Sequence, residues 1–377
     1  MPTANLHLVH VSTARTWRGG EQQLAYLLTH LREMGVAQTV CCPKSAPLAA
    51  WAHEHRFTVQ TFRKRTSVDV FAARRLRGYC QKHSVTHVHT HDSHAHTTAV
   101  LAASVWGNDV PVIVSRRVDF PVKRAPLSRW KYNHPAVRRI VCVSDFIAHI
   151  TAPALRDPSV LTTVHSGIDP TRFPAAPTGK LRAELGLRPD QPLVGNVAAL
   201  ADHKDLFTFL RTARRLLDRP TFRARTPHFV LIGRDDGEGF ALRRYAAELG
   251  IANEQLTFLG FRRDVPELLP DLEVFLFTSK TEGLGTSVLD AFACGVPVVA
   301  TAAGGVPESV LNEQTGLLAP VGDAEQLAAA VLRVLSERDV RETLTAGARR
   351  HLENFAPEAT ARRTLTVYRT TTISNTR

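Results

Sequence analysis

Short apolar runs alternate with segments of helical periodicity along the whole chain. The first half contains the strand-like runs LHLVHV, AQTVCCP, VTHVHTH, VPVIVS and RRIVCVS, and QLAYLLTHL has apolar side chains at helical spacing. The second half repeats the pattern with PLVGNVAAL, HFVLIG, QLTFLG, VFLFTS and PVVAT. Because strands that alternate with helices indicate βαβ units and a parallel sheet, we predict an α/β fold with two doubly wound, Rossmann-like domains.

A proline-rich segment, DPTRFPAAPTGKLRAELGLRPDQP, lies between finished strands and separates the two halves. We predict a first domain over residues 1–173, a linker over 174–190 and a second domain over 191–355. The tail PEATARRTLTVYRTTT has the pattern of an amphipathic helix after Pro357, so we expect segment 356–377 to pack back on the first domain. Parallel sheets bind ligands at the carboxyl ends of their strands, and we expect the two domains to face a cleft.

The length and composition are those of a globular protein with two domains. The chain has 377 residues, of which 44% are hydrophobic and 22% charged. No apolar run approaches the ~18 residues of a membrane span. NLHLVHV lacks a basic leader and a cleavage site, so we interpret it as a strand and not as a signal peptide. Five cysteines without CxxC spacing are typical of reduced thiols, and we expect a cytoplasmic protein.

The positive charge is concentrated in the first half. Residues 1–175 hold 22 Lys and Arg against 10 Asp and Glu, whereas residues 176–377 hold 25 of each kind. One-sided charge indicates a surface that meets an anionic partner, which leaves nucleic acid, a phosphorylated substrate or acidic lipid open.

The segment TEGLGTSVLDAFACGVPVVAT, residues 281–301, places glycines and an acid directly after a predicted strand. Gly283 and Gly285 allow backbone conformations that other residues avoid, and they let a ligand approach the main chain closely. A helix that begins near Thr286 would offer free N–H groups and the positive end of its dipole to an anion.

Two carboxylates flank this predicted anion site. Asp290 follows Thr286 by one helical turn, and Glu282 lies on the other side of the ligand. This arrangement suits a molecule with a diphosphate in the middle and hydroxyls at both ends, such as a nucleotide sugar. The alternative is a tight turn that happens to carry acidic residues.

The run EGLGTSVLDAFACGVPVVAT, with AGGVPE and TGLLAP beyond it, resembles the donor-binding region of the retaining glycosyltransferases of family 4. The resemblance covers most of the second domain and, more weakly, the whole chain. It implies a GT-B fold and a metal-independent hexosyltransferase-type enzyme, without a cofactor, that uses a nucleotide-diphosphate sugar as donor.

The resemblance also implies roles for matching residues. Glu282 would contact sugar hydroxyls and stabilise charge at the reacting carbon, and Asp290 would contact the ribose. Asp290 stands where relatives have Glu, so its ribose contact is expected to be altered or water-mediated. The predicted donor-binding residues are Gly19, Gly20, Lys204, Glu282, Gly283, Leu284, Gly285, Thr286 and Asp290.

Two further segments match the family on the donor side. In LVGNVAALADHKD, Lys204 matches a lysine that would neutralise the departing diphosphate. Relatives carry Arg five residues earlier, where this chain has Ala199, and the sequence leaves open whether His203 or Arg234 compensates. RGGEQQ resembles the Gly-Gly-x-Glu motif of the family, whose glycines bring main-chain N–H groups near the diphosphate or the acceptor.

The segment THVHTHDSHAH is unusually rich in histidine, with His87, His89, His91, His94 and His96 around Asp92. The family often has His-x-His here, which matches His89 and His91. We expect His87 in the core, and His91 and Asp92 as catalytic candidates that line the acceptor site. A zinc site would need convergent ligands, and we predict no metal.

Relatives often have a catalytically implicated histidine after the next strand, where VPVIVSRRVDF has Arg116 and Arg117. These arginines are candidates for binding an anionic acceptor or a donor phosphate, and Asp119 is a candidate base. In the next segment, FPVKRAPLSRWKYNHPAVRR, Trp130 and Tyr132 lie among basic residues. This mixture suits docking on anionic lipid, and a solvated basic loop is the alternative.

Our first hypothesis is a retaining glycosyltransferase at the inner face of the cell membrane. It would act on a lipid-linked, lipopolysaccharide or other envelope glycan acceptor and would bind no nucleic acid. A nucleotide-sugar epimerase on the same fold is the second hypothesis. A non-catalytic polyanion-binding protein is the third, and Ala199, Asp290 and the missing histidine favour it.

Overall fold

The computed structural model describes residues 6–63, 69–174, 176–222 and 225–371. The chain forms two compact units, of which the first comprises Met1–Gly167 and Ala356–Arg377 and the second Ile168–Phe355. Residues 372–377 of the predicted C-terminal segment lie outside the described residues.

Seven parallel strands form the sheet of the first unit, in the order β3-β2-β1-β4-β5-β6-β7. The strands are β1 (His7–Val11), β2 (Ala37–Pro43), β3 (Thr58–Phe62), β4 (His87–Thr90), β5 (Val112–Arg116), β6 (Val137–Cys142) and β7 (Leu161–Thr163). The helices before β7 are α1 (Gly19–Glu33), α2 (Pro47–Glu54), α3 (Val70–Lys82), α4 (Ser93–Trp106), α5 (Pro126–Tyr132) and α6 (Asp145–Thr151). The strand order reverses direction at β1, as in a doubly wound fold.

Six parallel strands form the sheet of the second unit, in the order β10-β9-β8-β11-β12-β13. The strands are β8 (Leu193–Val197), β9 (His228–Ile232), β10 (Leu256–Gly260), β11 (Val274–Phe277), β12 (Val298–Thr301) and β13 (Leu317–Ala319). The helices are α7 (Lys180–Glu184), α8 (Leu206–Leu217), α9 (Gly239–Glu248), α10 (Val265–Leu268), α11 (Thr286–Ala293), α12 (Val306–Ser309), α13 (Ala324–Ser336) and α14 (Arg338–Leu352). The predicted fold class is therefore confirmed.

The last helix, α15 (Pro357–Thr370), belongs to the first unit and packs on α1. Its apolar side chains Leu365 and Tyr368 join Leu8 and Leu31 in one buried cluster. The predicted amphipathic helix after Pro357 is thus present, and it covers one face of the first sheet. Among the described helices, none combines the length and the hydrophobicity that a bilayer crossing requires.

Residues 174–190, the segment expected to link the domains, carry α7 and lie in the second unit. The carboxylate of Asp271 accepts hydrogen bonds from the main-chain N–H groups of Gly179 and Leu181, each at 2.8 Å. The carboxylate that anchors α7 therefore lies about ninety residues further along the chain. The proline-rich composition that suggested a linker contains no information about this contact.

The strand-like runs in the sequence omit β3, β7 and β13, and all three are edge strands. The side chains of β3 and β7 are mostly only half-buried, and β13 has only three residues. A strand buried on both faces has a continuous apolar run, whereas a strand at the sheet edge does not need one.

Gly167 is the last residue of the range Met1–Gly167 of the first unit, and it packs against Pro357 at the start of α15. A β-carbon at this position would lie 2.6 Å from Pro357 Cα. The side chain of Gln23 also binds both main-chain polar groups of Gly167, at 2.6 and 2.9 Å. This close approach explains why glycine occupies the position.

Replacing Gly167 by Ala is expected to destabilise the protein by about 1–3 kcal/mol, because the backbone of α15 must move away. The control is Gly78→Ala in α3, where an added β-carbon meets no described atom within 4 Å and helix propensity favours Ala. Urea unfolding of both variants measures the difference, and equal stabilities would contradict the packing argument.

Candidate functional site

The carboxyl ends of β8 and β11, which are neighbours in the second sheet, carry the predicted donor-side residues. Lys204 ends a 3-10 turn between β8 and α8, and Glu282 lies in the loop between β11 and α11. Two hydrogen bonds join these loops: Lys280 N donates to the His203 carbonyl at 2.8 Å, and the Thr278 hydroxyl donates to the Lys204 carbonyl at 3.2 Å. The sheet topology thus brings together residues that are 78 positions apart.

Lys204 and Glu282 form a direct ion pair, which the sequence did not predict. The ammonium of Lys204 donates to Glu282 Oε1, and both side chains are less than one-fifth exposed. The Ser279 hydroxyl donates to the same oxygen at 2.7 Å. Glu282 Oε2 makes no hydrogen bond to any described residue, so this oxygen is available to a ligand hydroxyl.

The helix α11 begins at Thr286, as predicted, and no side chain in the described structure caps its N-terminus. Gly285 precedes it with φ of 78°, a left-handed conformation that favours glycine. The side chain of Leu284 is buried, and its carbonyl accepts a hydrogen bond from the Ser309 hydroxyl at 2.7 Å. The loop therefore presents main-chain groups and leaves the positive end of the helix dipole open to an anion.

Asp290 lies in the second turn of α11, and burial raises the pKa of its carboxyl to about 6. Arg172 is the positive charge that opposes this rise. No described residue donates a hydrogen bond to the carboxylate, so a ligand that supplies hydroxyl donors would satisfy it.

Ala199, which replaces the arginine of the family pattern, lies beside Leu200 in the loop after β8. Leu200 N donates to the Arg234 carbonyl at 2.8 Å, which brings the main chain of Arg234 close. The guanidinium of Arg234 itself is exposed and pairs with Asp236 at 2.7 Å. His203 is exposed as well.

In the first unit, Asp92 joins the loop after β1 to the start of α4. Its Oδ1 accepts hydrogen bonds from His94 N and Ala95 N, each at 2.9 Å, and from the Thr13 hydroxyl at 2.7 Å. Thr13 N donates to the other carboxylate oxygen. These bonds cap α4 and hold Asp92 in place.

Beside Asp92, the rings of His10, His89 and His91 form a cluster in which His10 and His89 are buried and His91 is half-buried. His10 Nδ1 and His91 Nε2 are 3.0 Å apart, and His89 bonds to the Tyr368 hydroxyl at 2.6 Å and the Ser115 hydroxyl at 2.8 Å. Burial lowers the pKa of His10 to about 3 and holds those of His89 and His91 well below the usual range. The three rings are therefore neutral at physiological pH.

Sequence reasoning missed His10, although the first strand pairs His10 with His89 in parallel register. One nitrogen from each of the three rings lies within 4.8 Å of the others, a spacing that a metal ion could bridge. The positive charge of Arg117 lowers the pKa values of both His89 and His91, and the same charge would repel a cation. That no metal binds here stays a prediction.

The two arginines after β5 have different environments. Arg116 is buried and donates to the Thr151 hydroxyl at 2.6 Å, the Tyr132 hydroxyl at 2.8 Å and the Phe120 carbonyl. These contacts engage the guanidinium of Arg116 within the fold, and anion binding by either arginine stays a prediction.

Arg117 donates to the Ser166 hydroxyl at 3.0 Å. Burial lowers its pKa to about 10, so it stays charged at neutral pH, and the nearby carboxylate of Glu21 opposes the shift. Burial in turn raises the pKa of Glu21, a residue of the RGGEQQ segment that was not among the predicted site residues. Asp119 lies half-buried in the loop after β5.

Gly19 and Gly20 form the first turn of α1. A β-carbon on either would meet no described atom within 4 Å, and neither has a positive φ. Packing and backbone conformation therefore do not require glycine here, whereas the approach of a ligand to the main chain would.

The comparisons with known proteins agree with this arrangement. Residues 17–172 match the family "Glycosyltransferase Family 4", and residues 178–351 match "Glycosyl transferases group 1". The D-inositol 3-phosphate glycosyltransferase of Rhodococcus jostii is 32% identical over 308 residues, which cover 76% of this chain and 67% of that protein.

Solved structures share the fold at low identity. HepE of Anabaena, crystallised with UDP and glucose, has a TM-score of 0.82 at 18% identity, covering 97% of this chain and all of HepE. The lipopolysaccharide outer core galactosyltransferase WaaB has a TM-score of 0.74 at 13% identity, covering 96% of this chain and 99% of WaaB.

Two doubly wound parallel sheets and these matches define a glycosyltransferase of the GT-B type. The chain belongs to glycosyltransferase family 4. The resemblance noted in the sequence is thereby confirmed, and so is the prediction of a transferase enzyme.

Replacing Asp290 by Asn is expected to stabilise the free protein at pH 8 by about 1–2 kcal/mol, because no carboxylate must then ionise in a desolvated position. The folded pKa of about 6 lies above the ordinary aspartate value. Wild-type stability therefore falls as the pH rises through this interval, and the variant lacks that fall.

Urea unfolding at pH 5 and pH 8 tests this prediction. Asp339→Asn, at an exposed aspartate in the first turn of α14, is the control. The same pH dependence in the Asp290 variant and in wild type would contradict the raised pKa.

Proposed function

We propose that the chain transfers a sugar, with retention of anomeric configuration, from a nucleotide-diphosphate sugar to an acceptor. The ion pair of Lys204 and Glu282 beside the uncapped N-terminus of α11 is the observation that carries the proposal. The crystal structure of HepE in complex with UDP and glucose supports the donor class.

Each donor-side group has a distinct task in this proposal. Lys204 and the main-chain N–H groups at Thr286 stabilise the negative charge that develops on the departing diphosphate. Glu282, held through Oε1, offers Oε2 to the sugar hydroxyls. Asp290 accepts hydrogen bonds from the ribose, whose hydroxyls replace lost solvent around its carboxylate.

We further propose an acceptor at an anionic membrane surface, of the lipid-linked or envelope glycan type. Within segment 120–130 of the first unit, the apolar side chains of Phe120 (52%), Leu127 (54%) and Trp130 (38%) are exposed. The exposed cations Lys123, Arg124 and Arg129 surround them in the sequence. Apolar side chains among basic ones suit the interface of an anionic bilayer.

Not all of the basic and aromatic residues in this segment reach the surface. Lys131 and Tyr132 are buried. The ammonium of Lys131 binds the Ser93 hydroxyl at 2.8 Å, and Tyr132 receives a hydrogen bond from Arg116. The proposed docking surface therefore consists of residues 120–130. Lys131 and Tyr132 are not part of this surface, because their side chains bind within the first unit.

The Lys204→Gln variant is expected to lose about a hundredfold in kcat and to bind UDP more weakly, because one charge on the leaving diphosphate is no longer stabilised. Lys280→Gln is the matched control, since Lys280 lies in the neighbouring loop but pairs with the exposed Asp202. Isothermal titration with nucleotides and a donor-consumption assay measure both effects.

The assay separates the alternatives. Turnover of the donor alone into an epimer would favour the epimerase. Folded protein that binds no nucleotide would favour the polyanion-binding protein. Unchanged nucleotide affinity in the presence of EDTA is the result expected for a metal-independent site.

Replacing Leu127 and Trp130 together by Ser is expected to reduce binding to anionic vesicles at least tenfold, because their burial in the interface contributes on the order of 1–3 kcal/mol each. Phe240→Ser in α9, which removes a 79% exposed aromatic of the second unit, is the control. Co-sedimentation with vesicles of mixed neutral and anionic lipid measures binding. Equal loss in both variants would contradict the assigned surface.

A further inference from the structure

We propose that a cationic cavity in the first unit binds the phosphate group of a phosphomonoester acceptor. The inference rests on the proposed transferase function and names the acceptor chemistry. The cavity has a volume of about 830 Å³. Its polar lining consists of Arg15, Lys44, Arg63, Arg75, Ser45 and Thr61.

The cavity lies at the carboxyl edge of the first sheet. β2 ends at Pro43 and β3 ends at Phe62, and Lys44 N donates to the Phe62 carbonyl at 3.3 Å, so the two strand ends are joined. Arg15 comes from the loop after β1, and Arg75 comes from α3. Ligands of doubly wound sheets bind at this edge, where the loops after the strands meet.

Three of the four cations that line the cavity have no carboxylate partner within the described structure. No described carboxylate lines it. Lys44, Arg63 and Arg75 form no ion pair with any described residue.

Several arginines of the second unit, by contrast, have carboxylate partners. Arg215, Arg262 and Arg333, for example, each pair with a carboxylate at 2.6–2.7 Å. Like charges around one cavity repel each other, and a bound anion would relieve this repulsion. Part of the excess positive charge of residues 1–175 is therefore located around this cavity.

The lining matches a phosphomonoester in particular. A phosphate monoester carries a charge of about −1.5 to −2 at pH 7 and three acceptor oxygens. Guanidinium groups donate two parallel hydrogen bonds to such an anion, and the hydroxyls of Ser45 and Thr61 supply additional donors. A carboxylate has fewer oxygens and a single charge, so it would use only part of this lining.

A second cavity of about 500 Å³ adjoins the first and shares Lys44, Ser45 and Thr61 with it. Its other walls are largely apolar, formed by Ala46, Pro47, Ala49, Ala50 and Val59. Both a phosphorylated polyol and the phosphate head of a lipid carry the required group. The Rhodococcus relative is a D-inositol 3-phosphate glycosyltransferase, and D-inositol 3-phosphate is an example of the first source.

The test compares two double variants of the full chain. Lys44→Gln with Arg75→Gln removes two charges from the cavity. Arg56→Gln with Lys82→Gln removes two exposed charges of the same unit that do not line it. Isothermal titration at constant ionic strength measures affinity for inorganic phosphate and, separately, for UDP.

We expect phosphate affinity to fall at least tenfold in the cavity variant, which is the effect of losing charge-assisted hydrogen bonds. We expect it to change less than twofold in the control, and UDP affinity to be unchanged in both. Phosphate binding that is equal in the two variants would overturn the inference. Binding of UDP without any binding of phosphate would overturn it while the donor proposal stands, whereas loss of UDP binding in wild type would overturn the proposed function itself.

Competition then identifies the source of the phosphate group. Displacement of inorganic phosphate by D-inositol 3-phosphate supports a soluble phosphorylated acceptor. Displacement by vesicles that contain phosphatidic acid, but not by vesicles of phosphatidylcholine alone, supports a lipid acceptor. Phosphate that neither competitor displaces from the cavity would overturn its role as an acceptor site.

Discussion

Parallel strand pairing is the constraint on which the rest of this structure depends. In a parallel sheet all strands end at the same edge, so loops that are distant in sequence meet there. Because β8 and β11 are neighbours, the loops that carry Lys204 and Glu282 lie side by side. Because β1 pairs with β4, His10 lies against His89, and Thr13 reaches Asp92. None of these groups could form a site within one local segment.

The two units differ in how their charged and titratable side chains are stabilised away from water. In the second unit, Lys204 and Glu282 are held as a pair, which lowers the cost of keeping either charge out of water. In the first unit, burial keeps the histidine cluster neutral, and the nearby carboxylate of Glu21 helps to keep Arg117 charged. Lys44, Arg63 and Arg75 at the cavity have no carboxylate partner among the described residues. The first unit thus leaves three cations available to an anionic ligand. In the second unit Lys204 already has a carboxylate partner, and the N-terminus of α11 stays open to an anion.

Glycine serves three separate purposes in this chain. Gly285 is needed for its left-handed backbone, since φ of 78° positions the start of α11. Gly167 is needed for space, because the backbone of Pro357 leaves no room for a β-carbon. Gly19 and Gly20 meet neither demand, so their lack of a side chain exposes the main chain at the start of α1. An exposed main chain at Gly19 and Gly20 is the feature most directly related to ligand binding.

By itself, the sequence determined the α/β class, the central strands, the start of α11 at Thr286 and the family. Each of these follows from local periodicity or from a contiguous motif. Tertiary structure decided the edge strands β3, β7 and β13, the different environments of Arg116 and Arg117, and the pairing of Lys204 with Glu282. The physical reason is that an edge strand needs little apolar sequence, and that the partner of a charge depends on which strands become neighbours. Strand neighbours are chosen by burial over the whole sheet, and no short window of sequence contains that information.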